Sequence, residues 1–174
     1  DNRWQPWRWS LSEIIAHEDD FGHAPRLLLS DNPAVLIRAD TDEQIAQGVR
    51  WAVDHDADII NLSLTRNSQT WPRSWDEAFS YAFENDVIIV AAAGNRTDKS
   101  SRPSAPATIP GVVSVGGLTK TGEPAEASTA GLGVAISAPA EDLLGAYPGE
   151  GFRVWDGSSA AAPLVSGLLA LLKQ

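Results

Sequence analysis

The 174-residue sequence contains no cysteine and no methionine. Without thiols the chain can form neither a disulfide framework nor a thiolate zinc site. Three histidines at irregular spacing do not predict a histidine-rich metal site either. We therefore expect no metal and no other cofactor. The absence of cysteine also suits a secreted or extracytoplasmic protein, which is the location we expect.

Long apolar runs and basic residues are also scarce. No apolar run reaches the roughly 18 residues of a membrane-spanning helix, and the C-terminal stretch at residues 164–172 is far too short. Thirteen basic residues against 23 acidic ones give a formal net charge of −10. Such a surface repels phosphate backbones, so we predict neither a membrane span nor a nucleic acid partner. Hydrophobic residues, at 43%, suffice for the core of a single compact domain.

Tryptophan is concentrated at the N-terminus, with Trp4, Trp7 and Trp9 inside the first ten residues. Their spacing fits neither a helical stripe nor a strand. We expect an arm whose indoles pack into grooves on the body of the protein. An exposed patch that recruits a partner through these rings and Arg3 and Arg8 is the alternative.

From residue 34 onward, short apolar runs alternate with capped amphipathic segments. Strands are predicted at 34–37, 58–62, 87–92, 112–115 and 134–137, with a candidate edge strand at 152–155. Capping boxes at Thr41/Gln44 and Ser74/Glu77 predict two helix starts. This alternation predicts right-handed crossovers and a parallel sheet. We assign residues 1–33 to the arm and a degenerate helix, and residues 34–174 to an α/β domain.

Residues 159–172 are apolar on nearly every side, which predicts a buried helix. Pro163 would fall within about the first turn, where proline is tolerated. Ser158 and Ser159 would then lie at the helix N-terminus, whose unpaired N–H groups carry partial positive charge. Asn95 follows the strand predicted at 87–92. Acyl transfer needs this combination, because N–H groups and an amide stabilise the oxyanion that develops when serine attacks.

Taken together, these segments resemble the subtilisin-like serine proteases, or subtilases. Residues 157–167, Gly-Ser-Ser-Ala-Ala-Ala-Pro-Leu-Val-Ser-Gly, resemble the family's nucleophile motif Gly-Thr-Ser-Met-Ala-(Ser/Ala)-Pro-His-Val-Ala-Gly. Residues 87–95 resemble the family strand that ends in Ala-Ala-Gly-Asn. Residues 58–64 resemble the strand whose end lines the substrate cleft. The motifs follow the family order along most of the chain.

The resemblance implies a three-layer α/β fold with a mostly parallel central sheet and a buried helix after the nucleophile serine. It implies that Ser159 is the nucleophile and that Asn95 is the amide of the oxyanion hole. The partner it implies is a peptide or protein, bound as an added strand. The residues it implies for the substrate cleft are Ser63, Leu64, Ala91, Ala92, Ala93, Gly94 and Ser158.

The family's acid and base motifs, Asp-(Ser/Thr)-Gly and His-Gly-Thr-x-Val-Ala, do not occur in the sequence. His17, His23 and His55 are each expected to be surface or capping residues. A serine without a base is a poor nucleophile, so we favour a domain that is non-catalytic by itself. It would be a pseudoprotease with a peptide-binding or structural role. The alternative is the C-terminal fragment of an active endopeptidase whose Asp and His lie upstream or on a complementary N-terminal chain.

One further departure lies in the cleft strand. The family's Ser-Leu-Gly-Gly corresponds to Ser63-Leu64-Thr65-Arg66 here. Glycine lets a substrate backbone lie close to a strand. Thr65 and Arg66 are therefore expected to crowd or to recharge that edge.

Overall fold

The computed structural model describes residues 37, 39–95, 102–147 and 151–173. The N-terminal arm, residues 34–36 of the first predicted strand, His17 and His23 lie outside the described residues, and the division at residue 33 stays a prediction. No described helix is both long and apolar enough to cross a membrane. The elements are, in chain order, α1 (Asp42–Asp54), β1 (Ile59–Leu62), α2 (Arg73–Glu84), β2 (Ile88–Ala92), β3 (Val113–Leu118), β4 (Ile136–Pro139), β5 (Leu143–Tyr147), β6 (Gly151–Trp155) and α3 (Ser158–Lys173).

The first four strands form a parallel sheet in the order β1-β2-β3-β4. Helices cover both of its faces. Successive strand residues point to opposite faces, so each strand contributes side chains to two cores. Ile89 and Ala91 of β2 pack in the core that α1 and α2 contribute to. Val90 and Ala92 pack in the core that α3 contributes to. The predicted three-layer α/β fold is confirmed.

Helix α1 begins at the predicted capping box. The Gln44 N–H donates to the Thr41 hydroxyl, and the Thr41 N–H donates to the Gln44 side-chain oxygen, both at 3.2 Å. His55, the C-cap residue, directly follows the helix and is exposed. Its ring stacks on Trp51 at 3.9 Å, and its Nδ1 lies 2.8 Å from the Trp51 carbonyl oxygen. His55 is thus a capping residue, as predicted.

The predicted cap of α2 is wrong. Its N-cap is Pro72, with φ −72° and ψ 153°, and no side chain caps it. The proline ring fixes φ and ends the extended segment, so helical residues begin before Ser74 can act as a cap. Trp75 is fully buried and donates its indole N–H to the Asp42 carbonyl at 2.9 Å, which holds α2 against α1.

The strand predicted at 152–155 does not join the edge of the main sheet. It is part of β6, which pairs antiparallel with β5 in a separate two-stranded sheet. Strand β5, Leu-Leu-Gly-Ala-Tyr, was not predicted, because its glycine and alanine carry little strand preference.

Helix α3 is buried only in its first half. Ala160, Ala161, Ala162 and Val165 are at most 6% exposed. The second half is nearer the surface: Leu169 still packs against the core, but leucines 168, 171 and 172 are 48%, 69% and 73% exposed. The helix starts at Ser158, so Pro163 lies inside it rather than in its first turn. Two expectations are therefore wrong: the helix is not buried along its whole length, and Pro163 does not lie in its first turn.

Gly117 in β3 makes the close packing near the end of the sheet possible. A Cβ atom there would lie 2.4 Å from the Cβ of Ala140. The substitution Gly117→Ala should therefore force β3 away from the segment after β4 and lower the free energy of unfolding by about 1–3 kcal/mol. Urea denaturation measures this loss. Gly151→Ala is the matched control, since a Cβ there meets nothing within 4 Å; equal losses in the two variants would contradict the packing argument.

Candidate active site

The candidate site lies beyond the carboxyl ends of β1 and β2, where the first turn of α3 approaches the sheet. Ser159 is half-buried, Asn95 is exposed and Ser158 is fully buried. Parallel strands of an open α/β sheet present their ligand-binding groups at this end. The fold therefore brings the two predicted catalytic residues to one edge.

Gly157 makes the turn into α3. It has φ +93°, and its N–H donates to the Ala140 carbonyl at 2.8 Å. A Cβ at this position would lie 2.7 Å from the Oδ1 atom of Asn95. Only glycine accepts both the positive φ and the close amide.

The Asn95 side chain is oriented by Ser158. Oδ1 of Asn95 accepts from the Ser158 backbone N–H at 2.9 Å and from the Ser158 hydroxyl at 3.0 Å. A backbone N–H can only donate, so the oxygen of the amide must be the atom that faces Ser158. The NH₂ group is then left as the donating end of Asn95. The Ser158 hydroxyl in turn accepts from the Gly94 N–H at 3.1 Å, which ties the end of β2 to the start of α3.

Ser63 and Ser159 face each other with their hydroxyl and carbonyl groups. The Ser63 hydroxyl donates to the Ser159 carbonyl at 2.9 Å. The Ser159 hydroxyl lies 3.4 Å from the Ser63 carbonyl, a long and weak contact. The cleft residue and the nucleophile candidate, 96 positions apart, are thus direct neighbours.

The small residues 91–94, at and just after the end of β2, are buried. The backbone groups of the last two form hydrogen bonds within the protein. The Ala93 N–H donates to the Val115 carbonyl at 2.8 Å, and the Gly94 carbonyl accepts from the Thr129 N–H at 2.7 Å. These groups are therefore engaged with the protein itself. Residues 91–94 are thus buried, whereas Ser63 and Leu64, also predicted for the substrate cleft, are half-buried.

Asn61 and Ser166 belong to this site although sequence analysis did not single them out. The Ser166 hydroxyl donates to Oδ1 of Asn61, and Nδ2 of Asn61 donates to the Ser63 hydroxyl, both at 2.9 Å. The available signal was a polar residue inside an apolar strand and another inside an apolar helix.

Arg66 does not recharge the cleft as expected. Its guanidinium pairs with the Asp42 carboxylate and lies over the Trp75 ring at 5.6 Å. The backbone N–H of Arg66 donates to the Ala105 carbonyl at 2.7 Å. The charge is directed to the start of α1 instead.

His55, the one histidine among the described residues, cannot serve Ser159 as a base. It caps α1 just before β1 begins, whereas Ser159 contacts Ser63 just after β1 ends. Four strand residues separate those points, a span of about 13 Å. No group of three or more His, Cys, Asp or Glu that could hold a metal ion occurs in the described part of the chain.

Comparison with known proteins agrees with this geometry. The model of the subtilase family, Peptidase_S8, matches residues 38–174. The major intracellular serine protease of Bacillus subtilis is 37% identical over 134 residues, which cover 75% of this chain and 41% of that protein. The minor extracellular protease Epr of the same organism is 32% identical over 133 residues, covering 76% of this chain and 20% of that protein.

Among solved structures, the prenylagaramide maturation protease PagA superposes with a TM-score of 0.72 at 32% identity, covering 79% of this chain and 52% of that one. The chain therefore spans about half or less of the length of these relatives. It corresponds to the C-terminal part of their protease domain. The matched residues and the shared fold show that this chain belongs to the subtilase family.

Proposed function

We propose that the described residues form the nucleophile half of a peptide-bond-hydrolysing site. Ser159 is the attacking group, and Asn95 together with the N-terminus of α3 binds the oxyanion. The observation that carries this proposal is the bonding of Ser158 to Oδ1 of Asn95, which leaves the NH₂ group as the donating end of an amide held at the turn before Ser159.

The chemistry follows from these positions. The Ser159 oxygen attacks the carbonyl carbon of the scissile peptide, and its proton passes to a general base. The carbonyl oxygen becomes an oxyanion, which the Asn95 amide and backbone N–H groups stabilise. The amine then leaves with a proton, and water hydrolyses the acyl-enzyme. The Ser159 hydroxyl lies 3.4 Å from the Ser63 carbonyl, a weak contact. Breaking it so that the hydroxyl can donate to a base therefore costs little free energy.

The base and its orienting acid come, in this proposal, from outside the described residues or from a partner chain. Support comes from the position of His55 at the far end of β1. The described part is then non-catalytic by itself. A pseudoprotease that retains the cleft for binding alone is the second candidate, favoured by the same observation.

The proposed ligand is an extended peptide that lies along Ser63 and Leu64 as an added strand. Both residues follow β1 directly and are half-buried. The net charge of −10 favours basic peptides. The similar structure of PagA is that of a maturation protease, which is consistent with a peptide or protein as the ligand proposed here.

A secreted or extracytoplasmic location is part of the proposal. It is supported by the absence of cysteine and by the extracellular relative Epr. The relatives also include an intracellular protease, so the family resemblance alone leaves the compartment open.

The first prediction of this proposed function concerns an added base. Imidazole supplied in the buffer should restore acylation of the full chain by an activated ester such as p-nitrophenyl acetate, with a rate that rises with imidazole concentration. The reason is that, in this proposal, Asn95 and the N-terminus of α3 bind the oxyanion and the described residues lack only a base. Stopped-flow release of p-nitrophenol and mass spectrometry of the acyl-serine measure it. Ser159→Ala is the control. Acylation that is equal in the two proteins at every imidazole concentration would sink the half-site proposal and favour the pseudoprotease.

The second prediction concerns the oxyanion donor. Asn95→Ala should lower the Ser159-dependent, imidazole-supported rate by about 10²–10³-fold, the magnitude known for this kind of donor in subtilisin, itself a family member. The matched control is Asn85→Ala, because the Asn85 amide caps α2 through the Tyr81 carbonyl. Equal rates in Asn95→Ala and in the unsubstituted chain would show that Asn95 holds the turn without assisting acylation.

A further inference from the structure

Pro163 changes the hydrogen bonding of the residue that carries the nucleophile. In a regular helix the N–H of residue 163 would donate to the carbonyl of residue 159. Proline has no N–H, so the usual donor to the Ser159 carbonyl does not exist. Instead, the Ser63 hydroxyl reaches this carbonyl from the end of β1 at 2.9 Å.

The Ser63 hydroxyl is itself held in a chain of hydrogen bonds that runs in one direction. Ser166, 8% exposed and about two turns beyond Ser159 in α3, donates to Oδ1 of Asn61 at 2.9 Å, and its hydroxyl lies 3.1 Å from the Ala162 carbonyl. Nδ2 of Asn61 donates to the Ser63 oxygen at 2.9 Å. That oxygen has one hydrogen, which it gives to Ser159. Hydrogen bonds in such a chain polarise and strengthen one another.

We infer that Ser63 is a positioning residue for Ser159: its hydroxyl replaces the helix donor that Pro163 removes and so holds the first turn of α3. This inference rests on the proposed function, since it assigns Ser63 a role toward the proposed nucleophile. It goes beyond that function because it assigns the Ser63 hydroxyl the place of a helix N–H donor, a role that does not depend on substrate.

The exchange matters because of its location. The turn that contains the Ser159 carbonyl also carries the Ser158 N–H and hydroxyl that orient Asn95. Loss of the Ser63 hydroxyl leaves a half-buried carbonyl short of a partner and lets this turn shift. Displacements of about 1 Å in such a site can cost roughly 10²-fold in rate.

A double-mutant cycle on the full chain tests the inference. Ser63→Ala should raise the unfolding equilibrium constant by about tenfold, the effect of leaving a polar group unsatisfied. Pro163→Ala introduces an N–H that donates to the Ser159 carbonyl. In the Pro163→Ala background, Ser63→Ala should therefore raise the constant by less than about threefold. Additive effects would overturn the inference. A Ser63→Ala chain that unfolds but is restored by adding Pro163→Ala would support it.

Thr108→Val is the matched control for the cycle. The Thr108 hydroxyl donates to the Gln69 carbonyl at the same 2.9 Å, yet neither residue contacts α3 through that bond. Its effect on the unfolding constant should be the same with and without Pro163→Ala. If the Thr108 effect also vanished in the proline variant, the coupling would be a general change in stability and the inference would fail.

A single-thiol measurement tests positioning apart from stability. The chain has no cysteine, so Ser159→Cys introduces its only thiol. The pH profile of iodoacetamide alkylation reports the surroundings of that sulfur in the folded protein. Ser63→Ala should shift the profile, Ser63→Thr should leave it in place, and Pro163→Ala should reverse the shift. An identical profile in all variants would contradict the positioning role.

These measurements separate the two proposals. The cycle and the thiol profile require no catalysis, whereas imidazole-supported acylation does. Coupling without acylation would reject the proposed function alone. Acylation without coupling would reject the role of Ser63 alone.

Discussion

The contact between the Asn95 amide and the turn of Gly157 and Ser158 is the one on which the site depends. A glycine with φ +93° lets the amide approach, and the Ser158 N–H then dictates which end of the amide faces the turn. The proposed oxyanion donor is therefore oriented by the backbone of the residue before the proposed nucleophile. Orientation by a backbone N–H is robust, because that group cannot reverse its role.

The parallel sheet brings these distant segments together. Asn95 and Ser158 are 63 positions apart, and Ser63 and Ser159 are 96 apart. Small residues on both sides keep the distances short, since Ala92 of β2 and Ala161 and Ala162 of α3 are completely buried in one cluster. Larger side chains would hold the helix further from the sheet and lengthen every bond in the site.

The described site is chemically asymmetric. Asn95 and the first turn of α3 meet beyond the carboxyl end of β2, while His55, the histidine in the described part of the chain, caps a helix at the other end of β1. Oxyanion donors alone retain only part of the rate of a complete triad. The proposed function follows this asymmetry: it assigns oxyanion binding to Asn95 and α3, and it assigns proton transfer to groups outside the described residues.

The sequence by itself determined the elements and residues that depend on local chemistry. Thr41 and Gln44 start α1 because a capping box acts within four residues, and the nucleophile and amide motifs identified Ser159 and Asn95 as site candidates. The alternation of strands and helices predicted the parallel sheet. What local patterns could not decide was the contact between distant segments. Strand β5 pairs with β6 rather than with the main sheet, and Ser63 donates to the carbonyl that Pro163 leaves without a helix donor. Only the tertiary structure decided these, because each follows from the placement of a backbone group relative to residues far along the chain, and hydrophobic periodicity carries no information about that placement.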